Sequence, residues 1–254
     1  MVISHLKFEF PAFKVYYHVT VRYLLFSRTK LLEELQFTLA PASSQNRQLK
    51  EREIQNESNY IGLNDQNYRE HILFNMEADK VANSAGINQS YPTGRGLFVS
   101  HLKDTFISIN FMDHVNVGIL QKDANLKMAF QRLKLTFSNI ENNFKWARDQ
   151  NGLGFLTTSP ALVGSALKIY AYVKLPYLGL EDNFRQEILD QYGLECVKAT
   201  ENFALSDSKI FVLSNKRTFG LTESEILSNV QRGLKEVILI ENKFNDSAKN
   251  NDLV

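Results

Sequence analysis

Apolar residues follow two rhythms along this chain, a period of two and a period near 3.6, and the switches between them mark the elements. Within residues 15–26, Val19, Val21 and Tyr23 alternate with Thr20, Arg22 and Leu24, the period of a strand. Residues 96–100, 105–110 and 114–121 read as successive strands. The period then lengthens: Leu126, Phe130, Leu133, Phe137, Ile140 and Phe144 step by 4, 3, 4, 3 and 4. That spacing draws one stripe down a helix, with Asp123 placed to cap it. Strand character returns at 153–157 and at 167–175, where Ile169, Ala171, Val173 and Leu175 fall on one face. Residues 181–192 predict a helix stopped by Gly193, and 194–198 and 209–213 predict two further strands. The last helix opens with Thr222 and Glu225, a capping box, and runs on through Ile226, Val230, Leu234, Val237 and Ile240.

This pattern divides the chain. Residues 1–64 form an aromatic-rich segment, partly strand, with a short helix expected at 30–39 and a polar linker at 41–60. Residues 65–242 form the main domain, opening with a helix at 66–85, and 243–254 is a polar tail expected to fray. Strands arrive in runs with short connections, interrupted by helices. That order predicts an α+β fold, an antiparallel β-sheet flanked by helices packed on one side, over an alternating α/β one.

Composition narrows the function classes. With 44% hydrophobic and 22% charged residues, the 254-residue chain can bury a real core. Twenty-nine Lys and Arg against 28 Asp and Glu leave a net charge of +1, so no global field favours nucleic acid or an anionic membrane. The single cysteine, Cys196, excludes an intramolecular disulfide and a Cys-based zinc site, and fits a reducing compartment. No run approaches the roughly 18–20 apolar residues that span a bilayer, and the first residues lack signal-peptide order. A cytoplasmic protein is expected, with no nucleic acid and no membrane among its partners. Histidines 5, 18, 71, 101 and 114 show no i, i+4 pair, so no metal site is expected.

Searches for common catalytic motifs find little. Tyr91-Pro92-Thr93-Gly94-Arg95-Gly96 is Gly-rich but leads into a strand, not into the helix N-terminus a phosphate loop requires. Several segments taken together are more specific. Glu70-His71-Ile72-Leu73-Phe74, the Tyr91–Gly96 run, Asp113-His114, Gly154-Phe155-Leu156-Thr157 with Ser159-Pro160 and Gly164, and Ser214-Asn215-Lys216-Arg217 followed by Gly220-Leu221-Thr222-Glu223 occur in one order. In that order and spacing, residues 65–240 resemble the C-terminal catalytic domain of the phosphagen kinases, the ATP:guanidino phosphotransferases. The resemblance implies an antiparallel sheet flanked by helices, in agreement with the periodicity.

Phosphoryl transfer from ATP to a guanidino nitrogen calls for several arginines around the phosphates and for carboxylates that orient the guanidinium. Carried over by resemblance, the orienting Glu before Asp-His falls on Met112, and a phosphate Arg falls on Asn116. The reactive Cys falls on Ser159, and the Arg nine residues later falls on Lys168, which keeps the charge but loses the bidentate fork. The last phosphate Arg falls near Thr200, and the loop's substrate carboxylate near Leu205. In the N-terminal phosphate motif, His18-Val19-Thr20-Val21-Arg22 keeps Arg22 and puts Thr20 where a second Arg belongs. The resemblance leads to the expectation that the small helical N-terminal domain of the family is absent. Arg95 and Arg217 lie in motifs whose role in the family is chiefly structural.

Scaffold motifs are therefore kept while the charged chemistry is lost, and each transition-state arginine is worth on the order of 10³–10⁵ in rate. The expectation is a catalytically inactive phosphagen kinase-like protein, a structural or interaction subunit with no catalytic residues and no cofactor. Arg22 and Lys168 remain as remnants of nucleotide binding. Its partners are expected to be other proteins, met through the aromatics Phe8, Phe10, Phe13, Tyr16, Tyr17, Tyr23 and Phe26. A homodimer is compatible with the resemblance, as is a ciliary or cytoskeletal assembly. The alternatives are an active guanidino kinase using Arg22, Arg95 and Lys168 on Mg-ATP, and a nucleotide sensor that binds Mg-ATP or ADP without turnover.

Overall fold

The strand predicted from the alternation around Val19 forms, and its position organises the rest. The computed structural model describes residues 16–23, 60–61, 96–100, 104–110, 113–141, 144–149, 151–180, 182–199 and 209–251. The elements are β1 (Tyr16–Tyr23), β2 (Tyr60–Ile61), β3 (Gly96–Val99), β4 (Thr105–Ile109), β5 (Val115–Gln121), α1 (Leu126–Glu141), β6 (Arg148–Asp149), β7 (Gly154–Phe155), β8 (Leu167–Lys174), α2 (Asp182–Asp190), β9 (Leu194–Lys198), β10 (Ile210–Asn215) and α3 (Glu223–Asn251).

Eight strands join in one sheet, in the order β2-β3-β4-β5-β1-β8-β10-β9, and every neighbouring pair is antiparallel. β1 lies inside the sheet. It pairs with β5 on one side, Val19 opposite Ile119, and with β8 on the other, Val19 opposite Ile169. Residues paired directly across antiparallel strands share a face, so this register carries Val19, Ile119 and Ile169 to one side. All three are fully buried, in a cluster with Leu126, Ala129, Leu133 and Ile140 of α1 and Val230, Leu234 and Val237 of α3. The helices thus pack on the face that the strand alternation reserves for them.

β1 and β2, from the N-terminal segment 1–64, share the sheet with β3–β5 and β8–β10. Tyr60, assigned to the polar linker, is already in strand. The helices expected at 30–39 and 66–85 lie outside the described residues, as do Phe8, Phe10, Phe13 and Phe26.

Three details differ from the periodicity. Asn125, not Asp123, caps α1: its Oδ1 accepts the Met128 amide at 3.0 Å, while Asp123 Oδ1 accepts the Asn125 amide at 2.9 Å and turns the chain into the helix. The spine of α1 runs through Ala129, because Phe130 and Phe137 are too large for the closest approach to the sheet and lean on the cluster's edge. There Phe137 and Phe144 frame Trp146, ring centroids 5.2 and 5.8 Å apart. Finally, α3 does not fray at 243 but runs to Asn251, since Thr222 and Glu225 cap its start reciprocally and no Gly or Pro interrupts its second half.

Removing β1 would leave the ladders of β5 and β8 unpaired in the middle of the sheet, each lost buried pair costing roughly 1–3 kcal/mol. Deleting residues 1–23 is therefore expected to abolish cooperative thermal unfolding by circular dichroism. A deleted chain that still melts cooperatively near the full-length temperature would contradict this central role.

Candidate functional site

The face of the sheet turned away from α1 and α3 gathers the polar positions. Its register forms cross-strand rows: Ser108, Asn116 and Arg22; then Phe106, Gly118, Thr20 and Lys168; then Leu120, His18, Tyr170, Ser214 and Glu195. By backbone register β1 puts positions Arg22, Asn116 and Lys168 on one face of the sheet, although 146 positions (168 − 22) separate the first from the last. Gly118 keeps this face low: a Cβ there would stand 2.0 Å from the Phe106 ring, which lies across it. Met112, Thr200, Leu205 and Arg95 lie outside the described residues.

Lys168 is not an open cation. Its ammonium lies 2.8 Å from Glu195 Oε1, donates to the carbonyl oxygen of Asn215, and stands 5.8 Å from the Tyr170 ring centroid. Its side chain is only 12% exposed. Ser214, on β10 between the two strands, also donates to Glu195 Oε1, at 2.8 Å. Glu195 is thus held from two sides. Partial burial pushes its carboxyl up, but the Lys168 hydrogen bond and charge, with the Ser214 hydroxyl, hold it below the ordinary range. Sequence reading missed Glu195, because nothing near it on β9 signals a partner 27 positions away on β8.

Around this face the retained motifs make loop geometry. Phe155 and Gly164 exchange backbone hydrogen bonds of 2.8 and 3.0 Å, closing the loop that carries Ser159. The strand expected at 153–157 is accordingly cut to Gly154–Phe155. Gly154 has φ +78°, and a Cβ there would meet the Gly164 carbonyl oxygen at 2.6 Å, so the backbones approach too closely for any side chain. Ser159 precedes the single 3₁₀ turn Pro160–Leu162 and its side chain does not cap it. What holds this loop is remote. Asp113 Oδ1 accepts the Thr158 amide at 2.7 Å, and the fully buried Thr218 hydroxyl donates toward the carbonyls of Ala161 and Val163 at 3.2 and 2.8 Å.

Asp113 is 2% exposed, and its Oδ2 meets no hydrogen-bond partner among the described residues. His114, also buried, lends its carbonyl to the Asn110 amide at 2.9 Å. In the Ser214–Arg217 motif the buried Asn215 replaces a missing rung of the ladder. It accepts the Ile169 amide at 2.9 Å and donates to the carbonyls of Leu167 and Arg217 at 3.0 and 3.2 Å. Arg217 itself is exposed, and Lys216 pairs with Asp190.

An antiparallel sheet with helices on one face, and a polar face on the other bounded by these loops, defines the class. The model of the ATP:guanido phosphotransferase C-terminal catalytic domain matches residues 33–244, and the chain belongs to that family. It is 30% identical over 172 residues to the arginine kinase of Limulus polyphemus, covering 68% of this chain and 48% of that protein. It is 31% identical over 172 residues to the taurocyamine kinase of Schistosoma mansoni, 68% of this chain and 23% of that one. The chain thus spans about half the length of the arginine kinases it matches. Among solved structures it is similar to the duplicated S. mansoni taurocyamine kinase with bound transition-state analogue components, with TM-score 0.73, 25% identity, and coverage of 92% of this chain and 34% of that one. Lombricine kinase shares the fold at TM-score 0.71 and 19% identity, covering 92% of this chain and 68% of that one. The family match begins at residue 33, downstream of β1, so this central strand comes from outside the matched segment.

Among the described residues no helix is long and apolar enough to cross a membrane, and no group of three His, Cys, Asp or Glu is disposed for a metal ion. Two positions on the polar face bear on the nucleotide phosphates that the family's ATP would bring. Asn116 is neutral, and Lys168 directs its charge to Glu195 and a backbone carbonyl.

Two expectations follow. Asn215→Ala removes three hydrogen bonds and leaves the buried Ile169 amide unpaired, which should cost about 2–4 kcal/mol in urea unfolding; a loss under about 0.5 kcal/mol would contradict the ladder role. The folded carboxyls of Glu195 and Asp104 are both depressed, the latter by the Ser100 hydroxyl and Arg132 against its own partial burial. Their stabilisation is therefore fully present above the unfolded value, about 4.3 for Glu and about 3.9 for Asp, and is lost as pH falls through the lower folded values. The urea midpoint should drop below about pH 4.5, and Glu195→Gln should flatten part of that drop. Parallel curves for the two proteins would remove Glu195 from the account.

Proposed function

We propose that this chain is a guanidino kinase domain that does not transfer phosphoryl groups and serves as a structural or interaction subunit. The observation that carries the reading is the state of Lys168, a cation at a family phosphate position: it is bound to Glu195, with neutral Asn116 on the same face. Phosphoryl transfer needs donors preorganised toward the charge that develops, and a lysine already paired offers little to it. The residues carried over by resemblance extend this reading, since Met112 offers no carboxylate and Ser159 no thiolate. Meanwhile the loop-shaping residues Gly154, Gly164, Asn215 and Thr218 all stay in use, which keeps a rigid surface without a reactive centre.

The partners in this reading are other proteins. Because Tyr16–Tyr23 is built into the sheet, the aromatics ahead of it, Phe8, Phe10 and Phe13, are the first positions to test for docking. A cytoplasmic assembly, ciliary or cytoskeletal, is the setting this reading favours.

The test is an assay of the purified chain with Mg-ATP and arginine, creatine, taurocyamine or lombricine, following ADP release. The expected result is no turnover above an acceptor-free control. Turnover on any acceptor overturns the proposal in favour of a divergent guanidino kinase. Mg-ATP binding by calorimetry without turnover would shift it to a nucleotide sensor.

A further inference from the structure

We propose that Glu195 is a built-in competitor for phosphate: its carboxylate takes the place beside Lys168 that the oxygens of a polyphosphate would otherwise occupy, and so closes this face to anions. The inference rests on the reading of the polar face as the family's phosphate face, and it names the residue that silences it.

Four observations carry it. The Lys168 ammonium has Glu195 Oε1 at 2.8 Å and the Asn215 carbonyl oxygen as acceptors, with the Tyr170 ring beside it. Three N–H donors are the whole of its capacity, so an incoming phosphate that needs more than one of them would have to displace a partner. The Glu195 side chain is 45% exposed while that of Lys168 is 12% exposed, so the carboxylate stands on the solvent side of the ammonium. An approaching anion meets the negative partner first. Ser214 fixes the carboxylate in that position by donating to the same Oε1, so swinging it away breaks a second hydrogen bond as well as the ion pair. Finally, the backbone register places Lys168 opposite Thr20, and Thr20 opposite Gly118, so neither β1 nor β5 sets a second cation directly across from it; Arg22 lies one row further along, opposite Asn116. The pair itself stabilises little, as partly exposed ion pairs do, and its main effect is on what the face will bind.

Exchanging Glu195 for Gln removes the negative charge and keeps an acceptor for Ser214 and Lys168. The full chain and the Glu195→Gln and Glu195→Ala variants are titrated with inorganic tripolyphosphate by calorimetry at low salt, after circular dichroism and thermal melts establish that each is folded. Both variants are expected to bind at least about tenfold more tightly than the unsubstituted chain, a change of about 1.4 kcal/mol. Adding Lys168→Gln to either variant is expected to erase the gain. If a folded Gln or Ala variant shows no gain, or the gain persists without Lys168, the proposal is overturned; one folded variant of the two is enough to decide it. The outcome is separable from the proposed loss of catalysis, because turnover by the unsubstituted chain would overturn that reading whatever the variants bind. Tighter binding without turnover would support both.

Discussion

Everything in this domain depends on the pairing of β1 between β5 and β8. A strand inside a sheet satisfies its own backbone groups and those of both neighbours, so removing it exposes the polar groups of two ladders at once. The same register determines which side chains meet. With Val19 opposite Ile119 and Ile169, the apolar rows meet α1 and α3, and the alternate rows leave Arg22, Asn116 and Lys168 together on the other side. A one-residue slip would exchange the two faces. Core and polar face are thus two consequences of one set of backbone hydrogen bonds.

In the function proposed above, the polar face is where this chain departs from the chemistry of its family. Phosphoryl transfer depends on positive charge held ready and unpaired. Here Lys168 is satisfied internally, by a carboxylate from β9 and a carbonyl from β10, and the serine between them holds the carboxylate in place. The loop residues bordering the face are, by contrast, fully engaged in shaping it: Asp113 holds Thr158, Thr218 holds the turn after Ser159, and Asn215 holds β8. In the reading proposed above the geometry is kept, while Lys168 is engaged by Glu195 and a neutral residue stands at 116. A family likeness read from motifs reports mainly on the geometry, because the motifs are built of the glycines, asparagine and threonine that make the turns.

Much of the fold was legible in the sequence, for a simple reason: strand and helix periods are local, and so are caps. β3, β4, β5, β8, β9 and β10 fall within a few residues of their apolar runs, and the Thr222–Glu225 box starts α3 as expected. Errors arose where a longer-range fact intervened. Asn125 rather than Asp123 caps α1 because the turn into the helix takes one carboxylate for itself. The strand at 153–157 is cut short by loop closure with Gly164, whose partner position is not visible in the local pattern. Composition changes at 64/65, but the sheet runs across that point, since β1 and β2 pair with strands of the main domain.

The sequence by itself determined the class of fold and the face each strand buries, since these are properties of single positions and their near neighbours. Tertiary structure alone decided that the aromatic N-terminal strand is a central rung of the sheet and that Lys168 is neutralised by Glu195. Both depend on strands distant in sequence meeting in register, and no local period encodes which strand will be the neighbour.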